Sequence, residues 1–298
     1  MKYHLPGIPF SYTVTPMNIA IVGAGTRGSD IAQIIALGGH AVAIYDSNAQ
    51  VLPRAQRLIT ESLERGVTRA AIQRADADRA KRAIATTSIL EQCYEADFMM
   101  VAIPEKLDGH KALFEKMDRF APQSTILAVM TETLPITAIA AAAKRFPQRI
   151  IGLNFLPPIT TQKIVEVIAA DQTAQGAVDR SLSLLQQIGK EAIKVKDTPG
   201  FLISRVMTMY TGEALRILAE GGTTHETADD LMQSMGIEEG PFRMMDGIGL
   251  DAHLQRTERL YEAFYQEPRY RPHPIQSKMV QANRLGRKTK QGFYRYDE

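Results

Sequence analysis

Two apolar runs, IIGLNF and KIVEVI, carry one polar interruption each: Asn154 near the end of the first and Glu166 in the middle of the second. A carboxylate among aliphatic residues needs a partner or a chemical task, because burying its charge alone is far too costly. Glu166 is therefore a candidate for moving a proton or for orienting a neighbour that does. Asn154 differs in kind. Its amide has no proton to exchange near neutral pH, so it can hold an oxygen atom but cannot act as a general base. A second carboxylate, Glu132, follows the apolar run TILAVM. Parallel sheets bind ligands at the carboxyl ends of their strands, which makes Glu132 a second candidate. Two carboxylates in a water-poor site push one pKa up and leave the other ionised, the arrangement that acid–base chemistry uses. Each has a plainer alternative: Glu132 as a solvated loop residue, Glu166 as a structural partner of Asn154.

The stretch IAIVGAGTRGSDIAQIIALGGHAVAIYD sets Gly23, Gly25 and Gly28 in the spacing G-x-G-x-x-G. That spacing alone is weak evidence. Here it follows a strand-like run, opens a helix-like run and precedes a second strand ending at Asp46, the context a dinucleotide site requires. Gly23 makes the tight turn, Gly25 lets backbone approach a pyrophosphate, and Gly28 lets helix and strand pack closely. The helix start around Thr26 offers unpaired N–H groups to phosphate oxygens. Asp46 would accept hydrogen bonds from the adenosine ribose and repel a 2′-phosphate, which favours NAD over NADP.

These groups need elements to position them. From Asn18 the pattern alternates strand and helix: strands NIAIVG, AVAIYD, AIATTS, FMMVAIP and TILAVM, then the Asn154 and Glu166 strands, and a last strand EAIKVKD. Helical spacing covers GSDIAQIIALGG, an Arg-rich segment over roughly 48–83, KALFEKMDRF and PITAIAAAAKRF. Alternation of this kind predicts β-α-β units and a parallel sheet with both faces covered, a doubly wound Rossmann-type α/β domain. Composition changes at DTPGF; beyond Gly200 the runs FLISRVMTMYTGEALRILAEGG, HETADDLMQSMG, LDAHLQRTERLYEAFY and IQSKMVQANRLG all read as helices. The organisation expected is a tail over 1–16, a dinucleotide domain over 17–199 and an all-helical domain over 200–298.

Bulk properties narrow the function further. With 35 basic and 33 acidic residues the net charge is +2, too balanced to argue for nucleic acid or a membrane surface. No apolar run reaches membrane-spanning length, and MKYHLPGIPFSYTVTP does not read as a signal peptide. A single cysteine, Cys93, rules out an internal disulfide and any multi-cysteine metal site, and it suits a reducing, cytoplasmic setting.

With these residues in view, the sequence resembles the L-3-hydroxyacyl-CoA dehydrogenase family. The matching pieces are IVGAGTRGSDIAQ, VAIPE, ALFEKMD, LPIT, KIVEVI, DTPGFLISR, GEAL, GPFRMMDGIGLD and GRKTKQGFYRY. The resemblance implies an N-terminal NAD domain, a helical C-terminal domain that makes a homodimer, and an acyl-CoA substrate in the cleft between them. In such enzymes a histidine takes the hydroxyl proton while hydride leaves for the nicotinamide, a glutamate orients that histidine, and a serine and an asparagine hold the substrate. Carried over residue by residue, the glutamate is Glu166. The histidine position, which the family writes G-x-H-F-F-N-P, reads GLNFLPP here and falls on Asn154. The serine position falls in MTETLP, at Glu132 or Thr133, and the asparagine position on Ser204. A family lysine appears as His110, which joins Gly23, Gly25, Thr26, Gly28, Asp46 and Glu105 in the expected cofactor set.

None of the six histidines stands in for the missing base by sequence; His110 and His253 are the two nearest candidates. Arg54, Arg57, Arg65, Arg69, Arg74, Arg79, Lys81 and Arg82 line an arm that in the family meets the CoA nucleotide, or else form a solvated face. Phe201, Phe242, Met244 and Met245 are expected to line or underpin the cleft, although residues at helical spacing are more often core than ligand contacts. The leading expectation is an NAD-dependent oxidoreductase acting on a 3-hydroxyacyl thioester or a related hydroxy acid with altered catalytic groups. The alternatives are other chemistry on the same scaffold through Glu132 or Glu166, and a non-catalytic protein that binds NAD or acyl-CoA.

Overall fold

The computed structural model describes residues 15–296, so most of the stretch read as an N-terminal tail lies outside the described residues. Chain contacts divide the rest into two compact units. One comprises residues up to Thr131 together with Ile136–Lys196; the other comprises Glu132–Pro135 and the residues from Asp197 onward.

The first unit runs β1 (Asn18–Val22), α1 (Thr26–Leu37), β2 (Ala41–Tyr45), α2 (Leu52–Thr68), α3 (Arg74–Arg82), β3 (Ile84–Thr87), β4 (Phe98–Val101), α4 (Leu107–Phe120), β5 (Ile126–Val129), α5 (Ile136–Ala140), β6 (Ile150–Phe155), β7 (Ile164–Ala169), α6 (Gln175–Gln187) and β8 (Glu191–Lys196). The strands form a single sheet in the order β3-β2-β1-β4-β5-β6-β7-β8. The strand order reverses between β1 and β4, and this switch point opens a crevice at their carboxyl ends. The central strands β4 and β5 are buried along their whole length, as parallel strands covered on both faces must be. Ile21, Ile31, Ile35, Ile44, Phe98 and Met100 form the middle of that core.

Three local expectations change. The sheet is not wholly parallel: β7 pairs antiparallel to β6. Only the short loop 156–163 joins them, too little chain for a crossover, so a turn-back is the available geometry. Helix α6 was not anticipated, although its buried Ala177, Val178, Ser181, Leu184 and Leu185 keep helical spacing. PITAIAAAAKRF forms a helix only over Ile136–Ala140. The buried Asp118 carboxylate draws the backbone N–H of Arg145 (2.7 Å) and of Phe146 (3.1 Å) out of any helical ladder. Pro147 then blocks continuation.

The second unit holds α7 (Ile203–Ala219), α8 (His225–Ser234), α9 (Pro241–Ile248), α10 (Leu250–Ala263) and α11 (Pro274–Gln281), and among the described residues no strand longer than an isolated bridge. Helix α9 is an addition to the sequence reading. Its start is fixed by the fully buried Asp229 of α8, whose carboxylate accepts from the backbone N–H of Phe242 and of Arg243, both at 2.9 Å. A carboxylate there also matches the positive end of the helix dipole. Phe242 and Met245 are core residues, as their helical spacing favours: with Leu215, Leu250 and Met279 they form the apolar centre of this unit.

GRKTKQGFY is accounted for by Asp246. Its carboxylate accepts the backbone N–H groups of Phe293 and Tyr294 and the Tyr296 hydroxyl, each at 3.0 Å. A β-carbon on Gly292 would stand 2.0 Å from Asp246 Oδ1, so only glycine lets that backbone come close enough. No described helix is long and apolar enough to cross a membrane, and no described group of His, Cys, Asp and Glu side chains is arranged to hold a metal ion.

Candidate active site

The strongest pair in the sequence is also a pair in space. Asn154 on β6 and Glu166 on β7 are direct cross-strand partners in the antiparallel register, so their side chains share one face. Asn154 Nδ2 donates to Glu166 Oε2 at 2.8 Å, with the residues 1% and 0% exposed. The carboxylate needs a donor, which fixes the amide orientation. It leaves Asn154 Oδ1 buried without a protein partner. A buried acceptor in that state costs stability unless something fills it.

The glycine loop is built as the spacing predicts. Helix α1 opens after Gly25 with no side-chain cap and no acidic residue in its first turn, which suits the helix start at Thr26 to an anion. Gly25 and Thr26 are exposed. A β-carbon on Gly25 would meet nothing within 4 Å, whereas one on Gly28 would lie 1.9 Å from the Gly23 carbonyl oxygen. The two glycines therefore have separable duties. Gly28→Ala is expected to disrupt the loop and lower the melting temperature, while Gly25→Val should fold normally and lose NADH affinity. Thermal unfolding and NADH fluorescence titration on both variants check this. Asp46 directly follows β2, with Oδ2 accepting from Ala24 N and Oδ1 from Asn48 N, both at 2.9 Å. Each oxygen keeps a lone pair for a ribose hydroxyl. These residues fit a dinucleotide.

On the other side of the switch point stands Glu105, just past β4, which accepts from the Thr131 hydroxyl at 3.1 Å. Arg27 Nη1 lies 3.8 Å from the same carboxylate. His110 is fully buried on α4, with Nδ1 donating to the Lys106 carbonyl at 3.0 Å. Burial holds its pKa below the usual histidine value, opposed by the bond to the Lys106 carbonyl.

In the second unit, Glu132 is not the solvated loop residue that was the plain alternative. Its side chain is 21% exposed and its carboxylate lies 3.6 Å from Arg256 Nη1 of α10. Ser204 is 2% exposed in the first turn of α7. His253 is excluded as a base. Gln276 donates to its Nδ1 at 2.6 Å, and its Nε2 donates to Thr211 Oγ at 2.9 Å, whose hydroxyl passes on to the Met207 carbonyl at 2.8 Å. Burial, helped by the Arg256 charge, pushes its pKa down to about 3. The folded chain thus refuses a proton that the unfolded chain accepts near the ordinary value of 6.5. The stability this carries is complete above pH 6.5 and is lost as pH falls from there toward 3, at about 1.4 kcal/mol per pH unit. Thermal unfolding at pH 7 and pH 5 should show a steep loss that His253→Gln flattens.

Arg27 and Arg256 were not picked out from the sequence. Arg27 had a legible signal, a cation inside the glycine loop itself. Arg256 had none, because its relation to Glu132 depends on the packing of α10 against a distant segment.

Comparison with known proteins bears on the family and the fold. The profile of "3-hydroxyacyl-CoA dehydrogenase, NAD binding domain" matches residues 18–198, and that of "3-hydroxyacyl-CoA dehydrogenase, C-terminal domain" matches 200–296. The chain is 35% identical over 281 residues to the probable 3-hydroxybutyryl-CoA dehydrogenase of Bacillus subtilis, covering 94% of this chain and 97% of that one. Among solved structures, FadB2 of M. tuberculosis superposes with a TM-score of 0.91 at 29% identity, over 95% of this chain and 99% of that one. The (S)-3-hydroxybutyryl-CoA dehydrogenase PaaH1 of Ralstonia eutropha superposes with 0.87 at 32% identity, over 95% and 100%. With both halves matched and the NAD loop formed as the fold demands, the chain belongs to the 3-hydroxyacyl-CoA dehydrogenase family of NAD-dependent oxidoreductases.

Proposed function

We propose that the chain interconverts a short-chain 3-hydroxyacyl-CoA and its 3-oxo form, with Glu166 moving the hydroxyl proton and Asn154 holding the substrate oxygen. The observation that carries this reading is the buried Asn154–Glu166 contact at 2.8 Å, with Asn154 Oδ1 left as an acceptor. A substrate hydroxyl held at Oδ1 would lie beside the Glu166 carboxylate, and its proton would pass to Glu166 once the O–H turns from Oδ1 to the carboxylate. NAD, when bound, supplies the hydride acceptor. Ser204 is the second group proposed to hold substrate, and Glu132 the second carboxylate. Gly23, Gly25, Thr26, Gly28, Asp46, Glu105 and His110 are proposed to hold the cofactor. Two relatives named for 3-hydroxybutyryl-CoA support a short acyl chain on CoA.

The same reading takes 17–199 as the cofactor domain, 200–298 as the substrate and dimerisation domain, and the cytoplasm as the setting. Val206, Ile217, Leu231 and Met235 are exposed apolar side chains of the second unit, which supports a homodimer.

The test is loss of NADH with acetoacetyl-CoA, run beside Glu166→Gln. Turnover that this substitution abolishes supports the proposal; turnover that survives it moves the base to another residue. Tight NADH binding without turnover would favour a second reading, other chemistry or a binding role on this scaffold. That reading draws on the same position, since Asn154 itself cannot move a proton.

A further inference from the structure

Arg27 is the second residue of α1, directly behind the glycine turn. Its Nη1 lies 3.8 Å from Glu105 Oε1 and donates to the Met130 carbonyl at 3.5 Å. Glu105 stands just past the end of β4, and Met130 is the first residue past β5. The guanidinium therefore lies across the carboxyl ends of β4 and β5. Its side chain keeps 28% exposure, so a ligand can reach it, while Glu105 is only 11% exposed.

A dinucleotide on a doubly wound sheet straddles the switch point. Asp46 at the end of β2 marks the adenosine side, so the nicotinamide side falls over β4 and β5, where Arg27 and Glu105 meet. The nicotinamide ring is the part of the cofactor whose charge changes in the reaction. It is cationic in NAD+ and neutral in NADH, while the pyrophosphate charge is the same in both. A carboxylate beside the ring favours the oxidised form. A guanidinium paired to that carboxylate cancels the attraction and adds repulsion of its own.

We propose that Arg27 is a redox-state selector: paired with Glu105 at the ends of β4 and β5, it sets the ratio of NADH to NAD+ affinity in favour of NADH. The inference rests on NAD as the cofactor and is independent of the acyl substrate and of the proton-moving group. With two unit charges near the ring at a partly hydrated site, the ratio should respond by about tenfold to removal of either charge.

The experiment measures three ligands by binding alone. NADH is titrated by its own fluorescence, and NAD+ and ADP-ribose by displacing it. Arg27→Gln is expected to raise NAD+ affinity relative to NADH by about tenfold and to leave ADP-ribose unchanged. Glu105→Gln should move the ratio the opposite way, and the double variant should return toward the starting value. Equal weakening of NADH, NAD+ and ADP-ribose in Arg27→Gln would overturn the proposal and assign Arg27 to the pyrophosphate. Unchanged affinities for all three would overturn it as well and leave Arg27 a structural tie. Failure of the unaltered protein to bind any of the three would instead overturn the cofactor assignment, a separate result.

Discussion

Asn154→His is expected to raise the rate of NADH-dependent acetoacetyl-CoA reduction by about 10²–10⁴-fold, the usual contribution of a positioned acid–base group. The expectation comes from register. Position 154 stands directly opposite Glu166, and the donor nitrogen there is already 2.8 Å from the carboxylate. An imidazole at the same place would give one ring N–H to Glu166 and turn the other nitrogen toward the substrate. Glu166 would then orient the base and cease to be it. The larger ring must fit a buried site, at a cost of about 1–3 kcal/mol in stability. The measurement is kcat for the two proteins, followed by Glu166→Gln in each. Loss of the gain when Glu166 is altered would establish the dyad. A histidine variant that binds NADH yet shows no gain would mean that substrate does not approach position 154, and the proposed reaction would fail with it.

Arg149→Met is expected to destabilise the first unit by about 3–5 kcal/mol, lowering its melting temperature by roughly 6–20 °C. Arg149 and Asp118 form an ion pair at 3.1 Å with both side chains 3% exposed. The guanidinium also donates to the carbonyls of Asp118 and Ala121, each at 3.2 Å, and to that of Pro122. Burial lowers the Arg149 pKa and Asp118 opposes that shift, so the pair stands on mutual compensation. Removing the cation leaves Asp118 with backbone donors alone. The double change Asp118→Asn with Arg149→Met should cost less than Arg149→Met by itself, because no uncompensated charge remains. Thermal unfolding of the two variants decides it; equal losses would show that the carbonyl contacts, and not the charge, carry the stability.

The parts of the molecule legible in the sequence share one property: their cause is local. The glycine loop, β1, β2 and Asp46 follow from spacing over fewer than thirty residues. The helices of the second unit other than α9 follow from periodicity. The pairing of Asn154 with Glu166 was legible because both break otherwise apolar strands joined by a short loop. What escaped notice has distant causes. The shortening of α5 depends on Asp118, which intercepts the backbone of residues 145 and 146 from another helix. The partner of Glu132 is an arginine on α10, more than a hundred residues away in sequence. Phe242 and Met245, whose helical spacing already favours core over ligand contact, lie in the apolar centre of the second unit. Helix α6 is an exception, since its buried residues keep helical spacing and its cause is local.

The Asp246 contacts also bear on how the chain is made. The donors that satisfy its carboxylate come from Phe293, Tyr294 and Tyr296, 47 to 50 residues farther along. Until a ribosome has released that stretch, a carboxylate destined for 1% exposure has none of these partners and is better left in water. The sheet unit draws on residues no later than Lys196 and can close during synthesis. The helical unit must wait for residues 293–296, and a nascent chain halted before Phe293 would present a finished sheet joined to helices that a chaperone or a protease still finds open.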